Sequence, residues 1–195
     1  KGDKSWITWI GNQPEVLETK EKNDPVKVTL GQGAISDEQW KDRIAKAIEH
    51  IKAGDLEKVV LARDKVGTST NEIPVVKIIK NLIENYPSTW TFFVSNMVGA
   101  TPELLVRLSK SLVTSRVLAG TIKKTGDDSK DLALAASLAK SSKDLEEHEY
   151  AVRSVAQALS PYCSSTNVPE VPFVLHLANV MHLATDVTGV INDSA

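Results

Sequence analysis

Apolar positions recur along this chain with two different periods. After Ser36-Asp37-Glu38-Gln39, the residues Trp40, Ile44, Ala47, Ile48 and Ile51 fall at helical spacing. Ser36 with Gln39 three places on reads as a capping box, and Gly54 is a suitable helix stop. Pro74 opens a second helix whose apolar face is Val75, Ile78, Ile79, Leu82 and Ile83, with Pro87 ending it. A long third helix is predicted over residues 131–159, where Leu138, Leu145, Val152 and Leu159 repeat every seven positions. Leu134, Val155 and Ala156 widen that stripe.

Short apolar runs predict strands at 5–10, 27–30, 57–66, 89–94, 97–100, 103–108, 111–118, 173–177 and 180–183. Ser95-Asn96 reads as a tight turn, because asparagine tolerates the left-handed region. Gly120 is read as ending its strand, residues 123–130 as a polar loop, and Pro161, Pro169 and Pro172 as loop markers. No internal repeat or low-complexity segment interrupts this order. The expected class is α+β, a largely antiparallel sheet with flanking helices, in one domain over residues 1–195.

Charge changes this picture little. The chain carries 23 basic and 25 acidic residues, for a net charge of -2, which gives no support for a nucleic-acid or anionic-membrane surface. Cys163 is the only cysteine, so no internal disulfide or multi-cysteine metal site can form, and a reducing, cytoplasmic setting is expected. There is no apolar run of about 18 residues that would predict a transmembrane helix. Walker-type, G-x-G-x-x-G, H-E-x-x-H and G-x-S-x-G motifs are all absent from the sequence, which weakens nucleotide, zinc-protease and α/β-hydrolase readings.

Four places hold candidate chemistry. Lys58 opens the apolar run Val59-Val60-Leu61-Ala62. Desolvation lowers a lysine pKa, and a neutral amine is a usable base. Local pattern alone also fits a strand-edge lysine with its head in water. Glu103 follows Thr101-Pro102 and lies between Val98 and Leu104-Leu105. A rigid carboxyl group in an apolar setting can donate a proton near neutrality, though a solvated turn gives the same pattern. In Leu118-Ala119-Gly120-Thr121 the glycine would let a ligand approach the backbone, or simply make a turn. The fourth place is Ser142-Lys143-Asp144-Leu145-Glu146-Glu147-His148-Glu149. Leu145, His148 and Val152 share the apolar stripe, and Glu147 lies about 100° from His148 and flanks it. Mg²⁺ takes oxygen ligands, often one or two carboxylates with water and substrate, so one glutamate here suffices. A solvated acidic face is the alternative. His182, in Met181-His182-Leu183-Ala184-Thr185, fits a core histidine by pattern alone.

Five stretches, taken in order, resemble the chorismate-utilising enzymes, and among them the isochorismate synthases. They are Lys58-Val59-Val60-Leu61-Ala62-Arg63, Gly99-Ala100-Thr101-Pro102-Glu103-Leu104-Leu105, Leu118-Ala119-Gly120-Thr121, Lys143-Asp144-Leu145-Glu146-Glu147-His148 and Met181-His182-Leu183-Ala184-Thr185. The resemblance covers roughly residues 36–190. Ammonia-using members typically have glutamine at the position of Lys58, and some carry a nucleophilic lysine at that of Ala119. Both positions here resemble the water-using type.

The resemblance implies a Mg²⁺-dependent conversion of chorismate to isochorismate. In it, Lys58 would be the general base activating water for attack at C2. Glu103 would be the general acid protonating the departing C4 hydroxyl. Glu147 would be a Mg²⁺ ligand, and Ala119, Gly120, Thr121, His182 and Thr185 would bind substrate. Salicylate synthases share the lysine and form the alternative enzyme reading. A module that only binds chorismate or a partner chain is the alternative of another class. Menaquinone and siderophore pathways are both open.

The family pattern continues beyond the residues matched here, with a Leu-His-Pro-Thr-Pro segment, a substrate-gripping arginine and a second metal-binding glutamate. The expectation is therefore a partial chorismate-binding fold with its C-terminal half missing, and a complementing half or an oligomer as possible partner.

Overall fold

The computed structural model describes residues 11–12 and 26–192. The strand expected at 5–10 lies outside them. Strand β1 (Val28–Gln32) pairs antiparallel with β2 (Lys65–Ser69), and between them runs helix α1 (Asp37–Ala53). The capping box forms as expected. Gln39 N–H donates to Ser36 Oγ, Gln39 Oε1 accepts from Ser36 N–H, and Gly54 ends the helix at φ +82. Helix α2 (Val75–Asn85) packs on the hairpin β3 (Trp90–Val94) and β4 (Met97–Thr101). That hairpin turns through Ser95 and Asn96 at φ 49 and 66, the paired left-handed conformation that matches the twist of two strands joined by two residues.

The core belongs to the third sheet. Its main path is β5 (Leu104–Ser109), β6 (Leu112–Lys123), β9 (Val180–Ile191) and β7 (Cys163–Asn167), with β8 (Phe173–His176) also on β9. Every pairing is antiparallel. Helices α3 (Asp128–Lys140) and α4 (Ser142–Leu159) cover one face. Ala135, Leu138, Met181 and Leu183 form one buried cluster, and Val117, Val152 and Val187 a second. The alternation of β6 and β9 sends Val113, Ser115 and Val117, and Met181, Leu183, Thr185 and Val187, toward the helices.

Several expectations change in the structure, among them the strand expected at 180–183, which runs on to Ile191 as β9. The strand expected at 57–66 does not form over residues 58–64, because no described strand lies alongside to accept a ladder. Side chains hold this segment instead: Arg153 donates to Glu57, Asp64 accepts from Ala34 N–H, and Arg63 and Lys65 share Asp37. The single helix expected at 131–159 is two, broken at Ser141 (φ -71, ψ 108), which closes α3 and caps α4 by accepting from Asp144 N–H. Strand β6 does not end at Gly120 but bulges there and runs on to Lys123. The polar run Cys163-Ser164-Ser165-Thr166-Asn167, read as loop, is an edge strand on β9.

The loop after β6 is shorter than expected because Asp131 gathers it. Its carboxylate accepts from the Thr125 N–H and hydroxyl and from Gly126 N–H. The apolar stripe of α1 exists, but Ile44, Ile48 and Ile51 are exposed and nothing among the described residues covers them.

Leu183 is fully buried between the sheet and both helices. Leu183→Ala should cost about 2–5 kcal/mol, since the rigid ladder around it cannot close on the void. Urea unfolding measures this, and a loss below about 1 kcal/mol would show a core that collapses freely.

Candidate active site

The bulge in β6 sets the site. Gly120 has φ +73, a conformation that costs a side chain strain. A Cβ there would also lie 3.1 Å from Asp144 Cβ and 3.4 Å from Leu183 Cδ1. Glycine thus lets the first turn of α4 rest on the β6–β9 ladder. Asp144 is fixed in that turn by Ser141, whose hydroxyl donates to its carboxylate. Beyond the bulge, Thr121 sits opposite His182 on β9, with Oγ1 and Nδ1 2.9 Å apart.

Lys58 reaches this place from outside the sheet. Its Nζ donates to the main-chain carbonyl of Glu147 at 3.2 Å and lies 3.6 Å from the Glu147 carboxylate. The lysine side chain is 27% exposed and the glutamate 42%, so the pair is screened by solvent and its net attraction is small. The expected base and the expected metal ligand are therefore in direct contact.

Glu103 comes from the turn between β4 and β5. Thr101 Oγ1 accepts from Glu103 N–H at 3.1 Å and fixes the turn around Pro102. The Glu103 carboxylate accepts from Leu118 N–H at 3.3 Å, immediately before Ala119 and Gly120. Among the described residues, Glu103 and Lys58 make no contact with each other. An acid and a base that act on opposite sides of one ligand need that separation.

Thr185 does not share a face with His182. It is 2% exposed, turned toward α4, and its Oγ1 lies 2.8 Å from His148 Nε2. Thr185, which the resemblance would place against substrate, thus has its hydroxyl engaged with His148. His148 itself is 3% exposed, and its Nδ1 has no hydrogen-bond partner among the described residues. Its burial was legible from the Leu145–Val152 stripe, but no local signal in the sequence named Thr185 as its partner. A second contact unseen in the sequence is the bidentate pair of Arg116 with Asp186, at 2.7 Å through both nitrogens, across β6 and β9.

An open cavity of about 760 Å³ lies between α4 and residues 168–172. Of the residues given a candidate role it is lined only by Thr185, so cavity size does not mark the site. No group of three or more metal-ligating side chains occurs among the described residues. Glu147 offers a partly exposed carboxylate beside Lys58, a donor that suits a cation keeping most of its water and substrate ligands.

The convergence of these five segments agrees with what the chain is similar to. A family model described as chorismate binding enzyme matches residues 5–195. The chain belongs to that family. Isochorismate synthase DhbC of Bacillus subtilis is 31% identical over 167 residues, covering 80% of this chain and 42% of that protein. A crystal structure from Bacillus anthracis, described as a 2,3-dihydroxybenzoate-specific isochorismate synthase, superposes with a TM-score of 0.77 at 33% identity, over 89% of this chain and 48% of that one. MenF of Escherichia coli, the menaquinone-specific isochorismate synthase, shares the fold at a TM-score of 0.80 and 24% identity, over 89% and 42%. The chain thus spans less than half the length of these relatives. The mixed fold with antiparallel sheets, read as part of a chorismate-binding domain, stands.

Burial holds the His148 pKa below its ordinary value; the nearby Ala119 carbonyl opposes the fall, and the Lys58 charge adds to it. Between that lowered value and about 6.5 the unfolded chain binds a proton that the folded chain refuses, so stability should fall as pH drops below about 6.5. His148→Gln should remove this part of the slope. Urea midpoints at about pH 5 and about pH 7 test it, and equal losses in the two proteins would assign the slope to other groups.

Proposed function

We propose that the chain carries the acid–base half-site of an isochorismate synthase, acting on chorismate with Mg²⁺ in a cytoplasmic setting. The observation that carries the reading is the arrangement around β6. Lys58 is held at Glu147 on α4, and Glu103 is held at Leu118 on β6, next to residues 119–121. The names of the B. subtilis and B. anthracis relatives support the same substrate.

In this reading Lys58, as the amine, takes a proton from water, and that oxygen bonds to C2 of the ring. The ring double bonds shift, and the C4–O bond breaks. Glu103, as the acid, gives its proton to the departing hydroxyl, which leaves as water. One water enters and one leaves, so the product is an isomer of the substrate. The Thr121–His182 pair and the backbone at Ala119 and Gly120 border the ligand. Glu147 would hold Mg²⁺, which when bound supplies positive charge for the substrate's ring carboxylate. Salicylate formation needs a further elimination of pyruvate.

The test is chorismate consumption with Mg²⁺, resolving isochorismate, salicylate and pyruvate, for the chain alone and mixed with a C-terminal half taken from a relative. Isochorismate without pyruvate supports the proposal, and salicylate with pyruvate replaces it. Lys58→Ala and Glu103→Gln should each lower turnover by about 10²–10⁴ without loss of folding. Retained turnover in either variant would remove that residue from its role.

A further inference from the structure

We propose that the buried His148–Thr185 pair is a positioning device, which sets where Lys58 sits by fixing the turn of α4 that receives it. This rests on the reading of Lys58 as the working amine, but the contact it describes exists whatever the reaction.

Lys58 has no ladder to hold it, because residues 58–64 pair with no described strand. Its head is placed by two groups of one residue, the main-chain carbonyl and the carboxylate of Glu147. The carboxylate is 42% exposed and belongs to a flexible side chain, so the carbonyl is the more rigid anchor. Where that carbonyl points depends on the rotation and depth of α4 against the sheet.

His148 follows Glu147 directly and fixes both. Its ring is 3% exposed, its Nε2 meets Thr185 Oγ1 at 2.8 Å, and Thr185 is itself 2% exposed in the middle of β9. The ring also neighbours the Ala119 carbonyl of β6, on the stretch that faces the ligand. One imidazole on α4 therefore meets both β6 and β9, directly after the residue that receives Lys58.

Apolar packing along α4, through Val152, Val155 and Ala156, keeps the helix on the sheet, but such contacts tolerate small slides. A hydrogen bond between two buried groups does not, since moving it by about 1 Å leaves both unpaired. The hydroxyl of Thr185 is thus needed for register more than for substrate.

The test reads Lys58 itself and needs no turnover. Lysines of the full chain are reductively dimethylated with ¹³C-formaldehyde, and the Lys58 signal is assigned by its disappearance in Lys58→Arg. Glu147→Gln gives the position of a Lys58 signal that has lost its carboxylate contact. Thr185→Val, which keeps shape and removes the hydroxyl, should move the Lys58 signal away from its wild-type position. Thr185→Ser should restore it. If Thr185→Val does not fold, His148→Asn, too short to reach Thr185, serves in its place with the same expected displacement. A folded Thr185→Val or His148→Asn protein whose Lys58 signal stays at the wild-type position overturns the proposal, and so does a Thr185→Ser protein that shifts as far as Thr185→Val. A chain that converts no chorismate would still give these spectra, so failure of the enzymatic reading and failure of this one are separable.

Discussion

The β6–β9 ladder, interrupted at Gly120, is the constraint on which the rest depends. Its two twelve-residue strands carry the buried cores and supply both walls of the candidate site. An unbroken ladder would set residue 120, not Thr121, opposite His182 and would place a side chain under the first turn of α4. The bulge does two things at once. It shifts the register so that Thr121 meets His182, and it removes the Cβ that Asp144 would strike at 3.1 Å. Helix docking and the shape of the backbone at residues 119–121 are thus one event.

The segment that brings Lys58 is held differently. Its backbone finds no strand, and its ties are polar: Glu57 to Arg153, Lys58 to Glu147, Arg63 and Lys65 to Asp37, and Asp64 to the Ala34 amide. Arg63 also lies over the Trp40 ring at 5.5 Å, near the start of α1. Asp37 sits in the first turn of that helix, where a negative charge is favoured, and the two cations beside it hold its carboxyl below the usual carboxylate range. These groups are largely exposed, so each tie is weak and screened by salt. Their number, spread along nine residues, is what positions the segment. Meanwhile Val60 is 81% exposed, as expected for an apolar run without a second sheet against it.

Local signals were the legible ones. The Ser36 capping box, Gly54, the Ser95-Asn96 turn and the apolar faces of three helical stretches all act within a few residues, and all formed. The break at Ser141 was equally local. Ser141 followed three residues later by Asp144 is itself a capping pattern, hidden by a heptad stripe that runs through it without losing phase. What the sequence did not carry was pairing. Whether Val59 and Leu61 join a ladder, or Cys163–Asn167 does, depends on which strand lies alongside, and that is set by residues far along the chain. The same limit applied at the site. The five stretches were readable as a set, but the facing of Thr185 follows from the alternation of β9, and its partner His148 is 37 positions away.

Two of the groups in the candidate chemistry each have a main-chain partner. Lys58 rests on the carbonyl of Glu147, and Glu103 accepts the amide of Leu118. Main-chain groups in a helix and a paired strand move little, so Lys58 and Glu103 are each referenced to a rigid element. Helix α4 is itself seated on β6 at Gly120 and tied to β9 through His148. The separation between acid and base is then a property of the helix–sheet packing and not of rotamer choice. Such a site tolerates change in exposed side chains around it, but not in the small or buried residues that set the packing. Gly120, Ser141, His148 and Thr185 touch the chemistry less directly than Lys58 or Glu103, yet on this geometry they determine where both of those groups can be.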